Sequence, residues 1–339
     1  MIPPLQVVWT RSPSATEGDD YDRFVAESSS GHYAQTRSFW PAQRAARFSV
    51  ARYALLRERE SGRLVGTALV SRASLGPFAL PWATVERGPV CESPRDVGRV
   101  ASALASEARK RGVLRLHVMP YWAGSAAEAA SRALRAAGFR AAPRADGAHS
   151  VTLRVDLTTL ANGQESFLAE PGRERLRRRA AQAARAGASA RRGTYEDFKE
   201  HRSLTALRMR GEGRRAPAST YDEALWAHLS SVDALGPRGA LFVGELGGQT
   251  LATVVVLRHG GIATYAQGAS SPAPSTLSKS VPPLLAAMSW AREHDCHTFD
   301  LGGIPDEGDT DSKRNRIAHL KRDFSREPVQ LVQRYVRTL

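Results

Sequence analysis

Cysteine is almost absent: Cys91 and Cys296 are the only two in 339 residues. That excludes a disulfide scaffold and a cysteine-rich zinc site, and it fits a reducing compartment. Lysine is scarce too, since of 48 Lys and Arg residues only Lys110, Lys199, Lys279, Lys313 and Lys321 are lysine. No apolar run approaches the ~20 residues that cross a bilayer; the longest strand-like stretch is Leu251–Leu257. The opening MIPPLQVVWT lacks the basic start, apolar middle and small-residue cleavage site of a signal peptide. Walker, dinucleotide-binding, zincin and nucleophile-elbow motifs are missing, and His294 with His297 makes no convincing metal-ligand set. These absences lead to the expectation of a cytoplasmic protein with no transmembrane segment and no metal.

What is present is positive charge. Asp and Glu total 34, leaving a net charge of +14. A genome rich in G and C would favour arginine codons, whereas a polyanionic partner would draw its affinity from neutralised charge. The clustering is local. Arg173, Arg175, Arg177, Arg178, Arg179, Arg185, Arg191 and Arg192 fall within one short stretch whose single acid is Glu174. Such a run reads either as a solvated helix face or as a surface for phosphates.

Hydrophobic periodicity predicts an alternating α/β order that occurs twice, too long for one ordinary core. The first half reads as strand Leu5–Trp9, helices Tyr21–Glu27 and Trp40–Phe48, and strands Ala51–Glu58, Leu64–Ser74 and Ala83–Val90. Helix Pro94–Arg111, strand Val113–Met119, helix Glu128–Ala137 and strand Ser150–Asp156 complete it. The second half opens with helix Arg173–Ala186 and the extended piece Ala188–Arg192, then helices Tyr195–Met209 and Tyr221–Leu235. Strands Ala240–Leu246, Thr250–His259 and Ile262–Gly268 follow, then helix Pro282–His294, strand Cys296–Leu301, helix Arg316–Arg322 and strand Val329–Arg337. The expectation is an α/β protein of two tandem GNAT-like (acyl-CoA N-acyltransferase-like) domains, 1–158 and 159–339.

Four segments carry a family resemblance. They are Gln35-Thr36 with Trp40 and Arg44; the basic stretch Arg175–Gly187; Tyr265-Ala266-Gln267-Gly268-Ala269-Ser270; and Phe299-Asp300-Leu301-Gly302-Gly303-Ile304 with Leu320-Lys321-Arg322-Asp323-Phe324. On these the chain resembles the FemABX-type aminoacyl-tRNA-dependent peptidyltransferases, in the shorter FemX-like form without a coiled-coil arm. It departs from their pattern at Arg44 (Lys in the family), at Leu320 (an aromatic) and at Ser325 (a Gly).

The resemblance implies transfer of an amino acid from aminoacyl-tRNA to an amine on a peptidoglycan precursor or related peptide or natural-product acceptor, in cell-wall biogenesis. No cofactor is implied, aminoacyl-tRNA being the donor substrate, and the protein is expected to act as a monomer. Lys321 is implied as the catalytic group, because an activated ester needs little beyond positioning and oxyanion stabilisation; its plainer reading is a surface lysine. Arg44, Arg208, Tyr221, Tyr265, Asp300, Gly302, Gly303 and Phe324 are implied as substrate-binding, with a phosphate-bearing or peptide amine acceptor as partner. Asp300 could instead cap a loop, Gly302-Gly303 make a tight turn, and Tyr265 pack in a strand. Arg175, Arg177, Arg178, Arg179 and Arg185 are implied as tRNA-binding. Two rival readings stand beside this one. The first is an acyl-CoA-dependent N-acyltransferase, although Arg95-Asp96-Val97-Gly98-Arg99-Val100 only approaches the pyrophosphate turn. The second is a non-catalytic tRNA-binding protein.

Overall fold

The computed structural model describes residues 4–47, 49–75, 78–142, 149–216, 218–233, 236–273, 275–305 and 312–339. Two compact units divide it: Met1–Ser150 with Val329–Leu339, and Val151–Pro328.

Unit 1 is built on an antiparallel run of Leu5–Thr10, Ser49–Glu58 and Leu64–Leu75, followed by Trp82–Val85. Trp82–Val85 then lies parallel to Arg115–Val118, as the intervening helix Val97–Arg109 allows. Period-two alternation sorts the sheet's side chains to its two faces. Ala54, Leu56, Ala68 and Val70 pack with Val100, Leu104 and Leu134 of the helices, while Tyr53, Leu55 and Leu69 meet Tyr21 and Val25. Helix Ala15–Glu27 starts earlier than its apolar pattern indicates, because Ser14 and Glu17 form a reciprocal capping box. The strand expected over Ala83–Val90 is two pieces, Trp82–Val85 and Val90–Cys91, interrupted where Pro89 offers no N–H. Helix Trp40–Arg47 is observed, and Phe48 lies outside the described residues.

Unit 2 repeats this order. Ser189–Arg192, Gly239–Leu246, Gln249–His259 and Ile262–Ser270 are successively antiparallel. Ile262–Ser270 is then parallel to Thr298–Gly303, with helix Val281–Glu293 between them in sequence. Leu284, Leu285, Met288 and Trp290 of that helix close the core over Phe242, Val254, Val256 and Phe299. The helix expected to run to Leu235 ends at Ser230, where Ser231 turns extended and its hydroxyl caps His228 O. Val232–Asp233 pairs instead with Gly236–Pro237.

The closing strands are exchanged. Val151–Asp156, which the sequence reads as the end of the first half, pairs antiparallel with Thr298–Gly303 in unit 2. Tyr335–Thr338, read as the end of the second half, pairs antiparallel with Arg115–Val118 in unit 1. Among the described residues no helix is long and apolar enough to cross a membrane.

Candidate active site

The parallel ladder between Ile262–Ser270 and Thr298–Gly303 is short. It joins residues 262–264 to 298–300 and stops there, with a bulge just beyond on the Tyr265 side. Past the last rung the two strand ends leave backbone groups unpaired with each other, and Lys321 enters at that point. Its helix, Ser312–Phe324, longer than the Arg316–Arg322 expected, turns Ala318, Lys321 and Phe324 inward at a spacing of three. Ala318 and Phe324 are core residues, so the lysine between them is drawn in and keeps 8 % exposure.

Lys321 Nζ donates a 2.7 Å hydrogen bond to Gly303 O and lies 6.0 Å from the centroid of the Tyr265 ring. Among the described residues Gly303 O is its one hydrogen-bond acceptor, and no carboxylate lies within salt-bridge distance. Burial therefore dominates and pulls the ammonium down to about 8, with Asp300 partly opposing. Its other N–H groups have no acceptor among the described residues.

Asp300 is occupied elsewhere. Its carboxylate accepts from Thr152 Oγ1 at 2.5 Å, from Gly302 N at 2.8 Å and from Arg154 Nε at 3.3 Å. It thus fixes the turn below the lysine. Gly302 takes φ +75°, and a Cβ there would stand 3.6 Å from Lys321 Nζ in a backbone region that L side chains rarely adopt. Gly268 is required for a different reason: a Cβ on it would overlap the Tyr265 hydroxyl at 1.8 Å. Tyr265 is thereby laid along its own strand, and burial pushes its phenol up to about 12.

A second polar chain runs beside the fork. Gln267 Nε2 donates to Tyr221 OH at 2.6 Å, which leaves Gln267 Oε1 to accept from His201 Nε2 at 3.1 Å. His201 Nδ1 then accepts from Thr253 Oγ1 at 2.7 Å. Burial holds this neutral histidine down at about 4. Tyr221 retains its own proton to donate, and beside this chain His201, Arg202, Thr205, Asp222 and Gln267 line a small pocket. The Arg202–Asp222 ion pair, 2.5 Å long, sits there, and burial raises Asp222 to about 6.

Of the expected site residues, Lys321, Tyr265, Asp300, Gly302 and Gly303 converge at the fork. Tyr221 joins through Gln267, and the exposed Arg208 acts electrostatically on both Tyr265 and His201. Phe324 is 1 % exposed in the core and anchors the lysine's helix. Arg44 is an exposed residue of unit 1.

The arginine cluster divides by helix face. Arg175 and Arg179, one turn apart on Glu174–Arg185, both pair with the buried Asp323, at 3.5 and 2.5 Å. Arg173 pairs with Glu170, and Arg191 with Asp197 and Glu245. Among the described residues Arg177, Arg178 and Arg185 are exposed and have no carboxylate within salt-bridge distance. Asp323, Gln267 and His201 were not singled out as site residues from the sequence, although the first two stand inside quoted motifs. No group of three or more His, Cys, Asp or Glu side chains among the described residues could hold a metal.

Comparison with known proteins places this architecture. Residues 172–314 match the family described as acetyltransferase (GNAT) domain. No curated protein sequence matches the chain. The crystal structure of FemX superimposes with a TM-score of 0.77 at 15 % identity, covering 98 % of this chain and 97 % of that one. A tandem GNAT protein from the clavulanic acid biosynthesis pathway gives 0.58 at 14 % identity, covering 98 % of both chains. L-PGS from Bacillus licheniformis gives 0.59 at 13 % identity, over 96 % and 92 %. Together with the repeated strand order, these matches identify the chain as a FemX-like tandem GNAT fold.

Proposed function

We propose that this chain is an aminoacyltransferase that moves an amino acid from the ribose ester of aminoacyl-tRNA to an amine, forming a peptide bond on a peptidoglycan precursor or a related peptide or natural-product acceptor. The observation that carries this reading is Lys321: a buried ammonium with one carbonyl acceptor, no carboxylate within salt-bridge distance among the described residues, and spare donors where the strand ladder ends. The amine attacks the ester carbonyl, the tetrahedral oxyanion meets the ammonium, and the C–O bond to the ribose breaks. Lys321 gives its proton to the departing oxygen and recovers one from the attacking amine, so the exchange is balanced. A donor of positive charge held in a poorly solvated place is worth more there than in water.

The likeness to FemX supports the donor class, and so does the helix Val281–Glu293. Acyl-CoA would need free amides at this helix start to receive its pyrophosphate. Here Pro282 and Pro283 have no N–H, Val281 N donates to Ser278 O, and Leu284 N donates to Ser280 O. The exposed Arg177, Arg178 and Arg185 face suits the tRNA backbone, and Arg208 and Tyr221 suit a phosphate-bearing acceptor.

The test is a transfer assay with mixed aminoacyl-tRNA and candidate amines, with and without ribonuclease, run in parallel with acetyl-CoA. Product that disappears with ribonuclease is expected. Release of free CoA thiol with acetylated amine would replace this reading by an acyl-CoA one, and salt-sensitive tRNA binding without product would reduce it to a binding protein.

A further inference from the structure

Residues with no part in the fork gather at one end of unit 1. Phe78 is 76 % exposed, Leu114 57 % and Trp82 44 %. They are close along the chain and the sheet: Phe78 precedes Trp82 by four residues, Leu114 N donates 2.7 Å to Pro81 O, and Trp82 pairs with Arg115. Arginines surround them. Arg72 reaches Leu80 O through Nε and Arg111 O through Nη1, both at 3.1 Å. Arg11 and Arg111 lie close enough to Arg52 that, after burial, their repulsion and that of Arg72 lower its guanidinium. The segments 9–13, 49–53, 71–82 and 109–115 contain seven basic residues and no acid. Among the described residues Arg11, Arg52, Arg72 and Arg115 have no carboxylate within salt-bridge distance, and Lys110 and Arg111 share Glu107.

Seven cations would serve any polyanion, so the apolar residues decide the partner. A nucleic-acid backbone gains nothing from a projecting leucine, whereas an interface between lipid headgroups and acyl chains takes up Leu, Phe and Trp while arginines meet the phosphates. We infer that this end of unit 1 docks on an anionic phospholipid bilayer, with Phe78, Trp82 and Leu114 entering the headgroup–acyl boundary and Arg11, Lys110, Arg111 and Arg115 against the phosphates. This inference does not rest on the transfer reaction.

The full chain is sedimented with vesicles of equimolar phosphatidylcholine and phosphatidylglycerol, and with phosphatidylcholine alone. Binding to the anionic vesicles only is expected, weakening as salt is raised. Phe78→Ser should lower the partition about tenfold, and Arg11→Gln with Arg115→Gln about twentyfold. Neither should shift the thermal melt, since all three side chains are exposed; Leu114→Ser replaces Phe78→Ser if that variant melts early. Failure to bind anionic vesicles, equal binding to phosphatidylcholine, or unchanged binding by these variants would overturn the inference. Loss of mixed-tRNA binding by the arginine variant, with vesicle binding intact, would also overturn it and assign the patch to nucleic acid.

Discussion

An ammonium buried beside one carbonyl, with no carboxylate within salt-bridge distance among the described residues, costs the fold free energy, and that cost makes Lys321 testable in two independent ways. Its pKa falls from 10.5 to about 8 through burial. Between these values the unfolded chain binds the proton and the folded chain does not, so this group makes stability rise with pH across that window. Below about 8 the charged lysine destabilises the fold by about 3 kcal/mol. Lys321→Met removes that penalty but leaves Gly303 O without its donor, a loss of about 1 kcal/mol. The variant should therefore be more stable than the parent near neutrality by about 2 kcal/mol, a gain that fades above about pH 8 and is read by urea titration at several pH values. Its transfer rate should drop at least about a hundredfold. With the ammonium as the working form, kcat of the unaltered chain should decline as pH rises through about 8. A lysine that served only as surface solvation would show none of these effects.

At the scale of elements, charge counted along the chain and charge counted in space give different answers. The arginine stretch holds Glu174 as its one acid, but the helix Glu174–Arg185 finds Asp323 across its packing contact with Ser312–Phe324, and the two faces separate. Arg179→Gln leaves the nearly buried Asp323 carboxylate only its longer contact with Arg175 and should destabilise by about 2 kcal/mol, visible as a lower urea midpoint. Arg177→Gln removes an exposed charge and should change stability by less than about 0.5 kcal/mol, while lowering the slope of log tRNA affinity against log salt by about one. A reversed pattern would mean that the exposed face does not meet phosphates. Linear sequence could not display this division, because Asp323 lies far along the chain and its partner is set by packing. The same holds for His201, whose bonds to Thr253 and Gln267 tie helix Tyr195–Gly211 to two strands. Its pKa falls from 6.5 to about 4 through burial, so the unfolded chain binds more protons between those values and stability drops as pH falls from about 6.5 to about 4. His201→Gln should flatten that part of the stability profile, as measured by melting temperature.

For the whole molecule, the sequence reveals the order of elements and the duplication, because helical and strand periodicities are local properties. Leu64–Leu75, Gln249–His259 and Val281–Glu293 follow their patterns within a few residues. Which sheet a closing strand joins is not local. An alternating segment states which of its side chains face a core, but not whose core it is. The C-terminal strand shows the consequence. Val332 and Tyr335 are buried in the core of unit 1, Arg135 donates to Tyr335 OH at 2.9 Å, and Arg337 donates to Ala137 O at 3.1 Å. Truncation after Gln330 should therefore damage the unit that contains the N-terminus and spare the one that precedes the cut. Hydrogen exchange followed by peptide mass analysis should show lost protection in Trp82–Val85 and Arg115–Val118, whose sheet loses a neighbour on the Arg115–Val118 side. Protection in Gln249–His259 and Ile262–Ser270 should persist, because Val151–Asp156 still flanks Thr298–Gly303. Loss confined to the second unit would show that the terminal strand belongs where periodicity alone had put it.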